Sequence, residues 1–318
     1  SMFHKSTLSA YVVGLVFLAT SFAPVQVTGQ NPNVGPNETQ ESSARETASS
    51  NEDGAQGKVG IADANSESQT GDEKEKPEFK VGRIIFPTYF FEMGDKKLFY
   101  GLYLPKSFDE SKTYPLVVVL HGLNGSPGQI LAYPGLTKHA DDNNYILVAP
   151  MGYNSRGWYG SRGEGGGRGS EPRNLGELSE QDVMEVLKLT RKNFRTDPER
   201  TYLFGHSMGG GGSMHLAMKY PDIWAAIAVV APAAYGNRDR LATAKDIPAI
   251  IVQGDQDRLV SVRETRRWVG KMKELGMKHK YIEVKNGGHV LLAWQHFDEI
   301  FEFFAEHVKN GVPKELAE

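Results

Sequence analysis

The segment TYLFGHSMGGGGSMHLAMKYP, residues 201–221, holds one serine with a glycine two positions away on each side. A serine hydroxyl at its ordinary pKa is a poor nucleophile. It attacks a carbonyl only when a neighbouring base takes its proton and a carboxylate orients that base. The chain supplies both downstream of Ser207, with Asp255 and Asp257 in IPAIIVQGDQDRLV and His289 in KYIEVKNGGHVLLAW. Serine, then acid, then histidine is the order in which a nucleophile on a strand-to-helix elbow meets partners from later strands of the same sheet.

Other histidines fit the base less well. His121 directly follows an apolar run, His206 adjoins the serine, and His215, His296 and His307 fall in helical segments. Only His289 stands on a glycine turn after the last apolar run. For the acid, Gly254 to Gln256 form a turn that can swing Asp257 back towards the elbow. Asp255 reads as a turn former that bonds its own backbone, as Asp side chains often do. Developing negative charge on the substrate oxygen needs two aimed backbone amides. The residue after the nucleophile, Met208, and Leu123 in the loop of LHGLNG are the candidates.

These groups must be positioned by strands and helices. VGRIIFPTYFFEMG and KKLFYGLYLP read as two antiparallel strands, and YPLVVVLHG as a strand buried on both faces. Further strands follow in NYILVAP, RTYLFG, WAAIAVVAP, IPAIIVQG and HKYIEVK, with helices expected over 135–143, 179–194, 209–220, 261–275 and 292–308. Alternating strands and helices predict an α/β fold with a mostly parallel central sheet covered on both faces. Functional groups in such sheets gather at the carboxyl ends of the strands. TYLF as strand, GHSMG as turn and the run to Pro221 as helix give Ser207 that position.

The ends of the chain differ from its middle. Ser1 precedes Met2 as a cloning remnant would; His4 and Lys5 then lead into AYVVGLVFLATSFA, Ala10 to Ala23. That run is short for a bilayer span of about 20 residues, and with small residues following it reads as an export signal covering 1–29. Residues 30–80 are rich in Asn, Glu, Ser, Gly and Thr, with too little apolar content to offset ordering entropy, so a disordered linker is expected. The catalytic domain is expected over 81–318, in a secreted or periplasmic protein with no stable membrane partner once the signal is cut.

Composition narrows the chemistry. Of 318 residues, 39% are hydrophobic, and the formal net charge is only -3, so no basic excess points to nucleic acid. Cysteine is absent, which removes disulfides, thiolate nucleophiles and thiolate metal sites. No histidine pair has ligand spacing with a third partner, so neither metal nor cofactor is expected.

LHGLNGS, APMGYNSRGWYG, DPERTYLFGHSMGG, YPDIWAAIAVVAP, GDQDRLV and GGH together resemble the secreted α/β-hydrolase esterases of the feruloyl esterase and polyhydroxybutyrate depolymerase type, over about residues 97–305. The resemblance implies the α/β-hydrolase fold, the triad Ser207, Asp257 and His289, and ester hydrolysis through an acyl-enzyme on a small-molecule or polymeric ester. GHSMGGGG is also similar to the elbow of cutinase-like polyester hydrolases, although their usual C-terminal disulfide has no counterpart here. APMGYNSRGWYG is similar to a segment of prolyl-oligopeptidase-like peptidases, which keeps a serine peptidase as the alternative. A non-catalytic binding protein on the same scaffold is the third reading.

The segment 151–179, MGYNSRGWYGSRGEGGGRGSEPRNLGELS, has no apolar period and follows a strand at the catalytic end of the sheet. Long irregular loops in compact domains are usually functional or mobile. Trp158 and Tyr159 are therefore candidates for an acyl-binding wall, or else pack the loop onto the core. Trp294, five positions after His289, has core packing as its main expectation.

Overall fold

The computed structural model describes residues 79–309. The signal expected over 1–29 and almost all of the linker expected over 30–80 lie outside the described residues. Nine strands form the sheet: β1 (Ile84–Ile85), β2 (Thr88–Phe91), β3 (Lys96–Tyr103), β4 (Tyr114–Leu120), β5 (Ile146–Pro150), β6 (Thr196–His206), β7 (Ala226–Val230), β8 (Ala249–Gly254) and β9 (His279–Val284). Their order is β1-β3-β5-β4-β6-β7-β8-β9, with β2 also pairing β3. β3 is antiparallel to its neighbours, and every pair from β5 through β9 is parallel.

The helices are α1 (Pro127–Leu131), α2 (Leu136–Asp142), α3 (Leu175–Asn193), α4 (Met208–Lys219), α5 (Val262–Glu274), α6 (Leu292–Gln295) and α7 (Phe297–Ala305). Three differ from expectation. α1 was not anticipated; Ser126 caps it by accepting the Gln129 amide, and Pro127 opens it. α3 begins four residues early, at Leu175, because Gly176 in its first turn passes against the Gly163 carbonyl, a closeness only glycine permits. The helix expected over 292–308 divides at His296 into α6 and α7. At the other end of the chain, Pro87 lacks the N–H that a continuous strand would use and separates β1 from β2.

Period-two alternation distributes each central strand between two cores. Leu116, Val118 and Leu120 of β4 pack with Val183, Val186, Met214 and Trp268 from α3, α4 and α5. Val117 and Val119 of the same strand face the opposite layer, with Ile130, Leu136, Phe297, Ile300 and Phe304 from α1, α2 and α7. Each such side chain contributes about 1.5–3 kcal/mol on burial, so the register of β4 is tightly specified. That register pairs Leu120 with Gly205, and β6 and β7 pair His206 with Val230. The residues after β4 and after β6 are thereby delivered side by side at the carboxyl end of the sheet.

Candidate active site

Ser207 sits between β6 and α4 with φ 58° and ψ −117°, a left-handed conformation unusual for a residue with a side chain. Surrounding backbone holds it there. The Ser207 amide donates to Val230 O at 2.9 Å, and its carbonyl accepts the Gly211 and Ala233 amides at 3.1 and 2.9 Å. A side chain at Gly209 would collide with the Leu120 carbonyl, so the elbow requires a glycine where α4 crosses the end of β4. The turn exposes the serine at the strand end and aims the free amides of α4 at the same space.

Two of those amides come from different elements. Met208 N opens α4, and Leu123 N lies in the loop after β4; neither donates to an acceptor among the described residues. Met208 is buried and Leu123 is 44% exposed. A Cβ placed on Gly122, beside Leu123, would lie 3.6 Å from Ser207 Cβ. The loop is pinned by Gly125 N to Gly122 O and by Asn124 N to Ser155 O, both 2.9 Å.

The loops after β8 and β9 are stitched together. Asp255 N donates to Val284 O at 3.1 Å and Gln256 N to Gly287 O at 3.0 Å, an approach that a side chain at Gly254 would prevent. On this base, Asp257 Oδ2 accepts from His289 Nδ1 at 2.7 Å. Asp257 Oδ1 takes the amides of Leu259 and Val260 at 2.8 and 2.9 Å, and Gln253 Nε2 donates to Oδ2 at 3.1 Å. Burial opposes ionisation of this carboxyl, but the His289 hydrogen bond and the two amides outweigh it and hold Asp257 below the usual carboxylate range. The local turn bonding expected of Asp255 is therefore made by Asp257 itself. Asp255 Oδ1 is buried without a hydrogen-bond partner among the described residues.

His289 is brought to the elbow by a residue the sequence reading passed over. His206 Nε2 bonds His289 O at 2.9 Å, His206 Nδ1 meets Tyr133 Oη at 2.8 Å, and the rings of His206 and His289 lie 5.1 Å apart. One tautomer satisfies both bonds, with Nε2–H donating to the carbonyl and Nδ1 accepting from the phenol. Burial, with the adjacent His289 adding to it against the pull of its carbonyl, pushes the His206 pKa down to about 4. Trp294 packs edge-on against Tyr133 with ring centroids 5.1 Å apart, completing that support. Ser207 Oγ and His289 Nε2 have no hydrogen-bond partner among the described residues.

His121 has a supporting place too. Its ring nitrogens approach Gly122 O and Met151 O at 2.8 and 2.9 Å, tying the ends of β4 and β5, and burial pushes its pKa down. Behind the loop that follows β5 stands α3. Asp182 Oδ2 accepts the Gly152 and Tyr153 amides at 2.5 and 2.9 Å, and its Oδ1 accepts the Tyr89 hydroxyl. Burial raises the Asp182 pKa even against these bonds. Ser179 Oγ accepts the Tyr159 amide at 3.0 Å.

These contacts correct half of the expected acyl wall. Tyr159 is 0% exposed; it packs over Gly212 of α4 and donates its hydroxyl to His121 O at 3.3 Å, so it offers no surface to a substrate. Trp158 is 8% exposed, with the Arg162 guanidinium 3.5 Å from its ring centroid. Both lie in a 3-10 turn, Trp158–Gly160. Trp158 lines a cavity of about 510 Å³ that reaches Leu123. Two cavities of about 650 and 640 Å³ lie away from the elbow, the first around Phe79 and Phe108 at the amino end of β6.

Among the described residues no cluster of three or more His, Asp or Glu could hold a metal ion, and no helix is long and apolar enough to cross a membrane.

The profile of the Esterase family matches residues 93–302, more than half of the chain. The chain is 30% identical over 147 residues to the S-formylglutathione hydrolase of Rattus norvegicus, covering 43% of this chain and 52% of that one. It is likewise 30% identical over 136 residues to feruloyl esterase B of Thermothelomyces thermophilus, covering 42% and 44%. The matched stretches thus span about half the length of these relatives. Among solved structures, a ferulic acid esterase from Anaeromyces mucronatus superposes with a TM-score of 0.57 at 18% identity, covering 73% of this chain and 94% of that one. That likeness shows a shared α/β-hydrolase fold.

Proposed function

The chain belongs to the Esterase family, and from that premise we propose that it is a serine carboxylic ester hydrolase working through an acyl-enzyme. The observation that carries the proposal is the 2.7 Å bond from His289 Nδ1 to Asp257 Oδ2, made beside the Ser207 elbow. It fixes the tautomer whose other nitrogen is free to act as a base.

In this reading Ser207 Oγ attacks the ester carbonyl carbon while His289 Nε2 takes the hydroxyl proton. The carbonyl oxygen becomes an oxyanion facing the amides of Met208 and Leu123, each such donor being worth about 3 kcal/mol in the transition state. Collapse breaks the ester C–O bond, and the imidazolium gives its proton to the departing alkoxide. Water repeats the sequence on the acyl-enzyme, releasing the acid and restoring Ser207. The Ser207–His289 contact closes as substrate enters, since such hydrogen bonds are often long in empty sites.

The motif resemblance and the relatives support a feruloyl-type aromatic, short-chain or polyester substrate. The run Ala10–Ala23 supports secretion, which amino-terminal sequencing of exported protein would test. For the mechanism the test is a fluorophosphonate probe together with turnover of a soluble 4-nitrophenyl ester. The wild-type protein is expected to be labelled at Ser207 and to turn over the ester. Ser207→Ala should lose labelling and several orders of magnitude of turnover while folding normally. A folded Ser207→Ala protein as active as the wild type overturns the reading; cleavage of proline peptides with no ester turnover favours a peptidase instead.

A further inference from the structure

The cavity that reaches Leu123 has an unusual wall. Arg156, Arg162 and Arg168 all line it, with Leu123, Trp158 and Glu171. None of the three guanidiniums forms an ion pair with a carboxylate among the described residues, whereas arginines elsewhere do, such as Arg238 and Arg267 with Glu264 or Arg266 with Glu283. Three like charges around one space repel each other, and a single carboxylate on the wall leaves them uncompensated. Guanidinium groups present forked donors that match carboxylate and phosphate oxygens. The amides of Gly167, Arg168 and Gly169, from residues lining the same wall, also have no acceptor among the described residues. Three guanidiniums and three amides of this wall therefore lack an acceptor among the described residues, against the one carboxylate of Glu171.

The cavity's place relative to the chemistry gives it a direction. It shares Leu123 with the candidate oxyanion amides and lies on the β5 side of the elbow. His289 arrives from the β9 side, on the far side of β6 in the strand order. A leaving group must lie against His289, which protonates it, so the cavity is left to the acyl half of the ester.

We propose that the enzyme prefers esters whose acyl part carries an anionic group, a carboxylate or phosphate, a few bonds from the reacting carbonyl, bound by Arg156, Arg162 and Arg168. This deepens the ester-hydrolase reading and rests on it. Trp158 holds Arg162 by cation–π stacking, so the aromatic ring serves the charge rather than an apolar acyl chain.

The test compares two six-carbon acyl esters, the mono-4-nitrophenyl ester of adipic acid and 4-nitrophenyl hexanoate, which differ in a terminal carboxylate. The adipate is expected to show kcat/KM about 10-fold or more above the hexanoate at low salt, with the ratio falling towards one as salt shortens the Debye length to about 3–4 Å. Arg162→Gln and Arg168→Gln should each lower the ratio about 3- to 10-fold, mainly through the KM of the adipate. Arg168→Lys should retain part of it, and the double variant Arg162→Glu with Arg168→Glu should reverse it. Hexanoate turnover with no preference for adipate, or a preference that neither variant nor salt changes, overturns this inference and leaves the esterase reading standing. Turnover of neither ester, with no fluorophosphonate labelling, overturns both.

Discussion

The two flanks of the elbow are held by different means. On the β8–β9 flank, main chain grips main chain: the Asp257 and His289 loops are joined by amide-to-carbonyl bonds, and the Asp257–His289 contact sits on top of them. On the β5 flank, the loop from Met151 to Asn174 is held at its start mainly by side chains of one helix, Asp182 and Ser179 of α3, with single main-chain bonds at Ser155 and Glu164, and its arginines, Arg156, Arg162 and Arg168, are exposed. Backbone stitching tolerates many side chains but little change in chain length. Side-chain anchoring tolerates changes of length but depends on a few polar atoms. In the proposed mechanism the acid and the base lie on the first flank, and the cavity wall on the second.

The sharpest attack on this contrast is Asp257→Asn. It leaves the backbone joins intact but presents an amide to His289, and turnover of a soluble ester is expected to fall on the order of 10⁴-fold through the wrong tautomer. Asp255→Asn, at a carboxyl whose Oδ1 has no hydrogen-bond partner among the described residues, should change turnover by less than about 3-fold. The reverse result would move the acid to Asp255. Next in size is Asp182→Asn, which turns an NH₂ towards donors in a buried site. Losing such hydrogen bonds to a buried carboxyl typically costs up to about 3 kcal/mol, and urea unfolding should show a loss of that order; an unchanged midpoint would mean that the β5 flank is held otherwise.

A third measurement tests the His206 support through pH. Its folded pKa of about 4 lies below the free value of 6.5, so the unfolded chain binds the proton first. The contribution of neutral His206 is complete above about pH 6.5 and is lost as pH falls towards 4, an effect of about 2–3 kcal/mol. His121, also lowered by burial, adds a loss of the same sign. His206→Gln should flatten the stability curve over that window and lower turnover by displacing His289; an unchanged slope would remove His206 from this role. The smallest effect expected is from Trp158→Ala, which frees Arg162 and should lower the adipate-to-hexanoate ratio a few-fold; an equal change on both esters would assign the ring to packing.

The elbow and the order of its partners were legible because their signals are local. A glycine pattern between an apolar run and a helix needs few neighbours to interpret, and the unbroken apolar runs VVVL and IAVV place strands buried on both faces without knowledge of their partners. Contacts between distant residues were not legible. His206 was read only as the neighbour of Ser207, because its partners Tyr133 and His289 lie far along the chain. Gln253, whose side chain joins Asp257 to Thr265, was read as the end of a strand. Tyr159 was set beside Trp158 as a wall, since composition cannot say which of two adjacent aromatics points inward; Ser179 and Gly212 decide that from other helices. The arginines of 156–168 were visible as letters, but their convergence on one cavity depends on how a glycine-rich loop closes.

The unequal anchoring of the β5 loop has a consequence for redesign. Tyr159 is wedged between α3 and α4, and Gly163 and Glu164 are joined to the first turn of α3, where Glu177 N donates to Glu164 O at 2.9 Å, whereas 167–173 run between Gly166 and that helix. That last stretch is a replaceable cassette. Segments of other length or charge spliced between Gly167 and Arg173 should change the acid preference while the strand ends beneath keep their registers, so that selectivity is engineered without rebuilding the candidate catalytic groups.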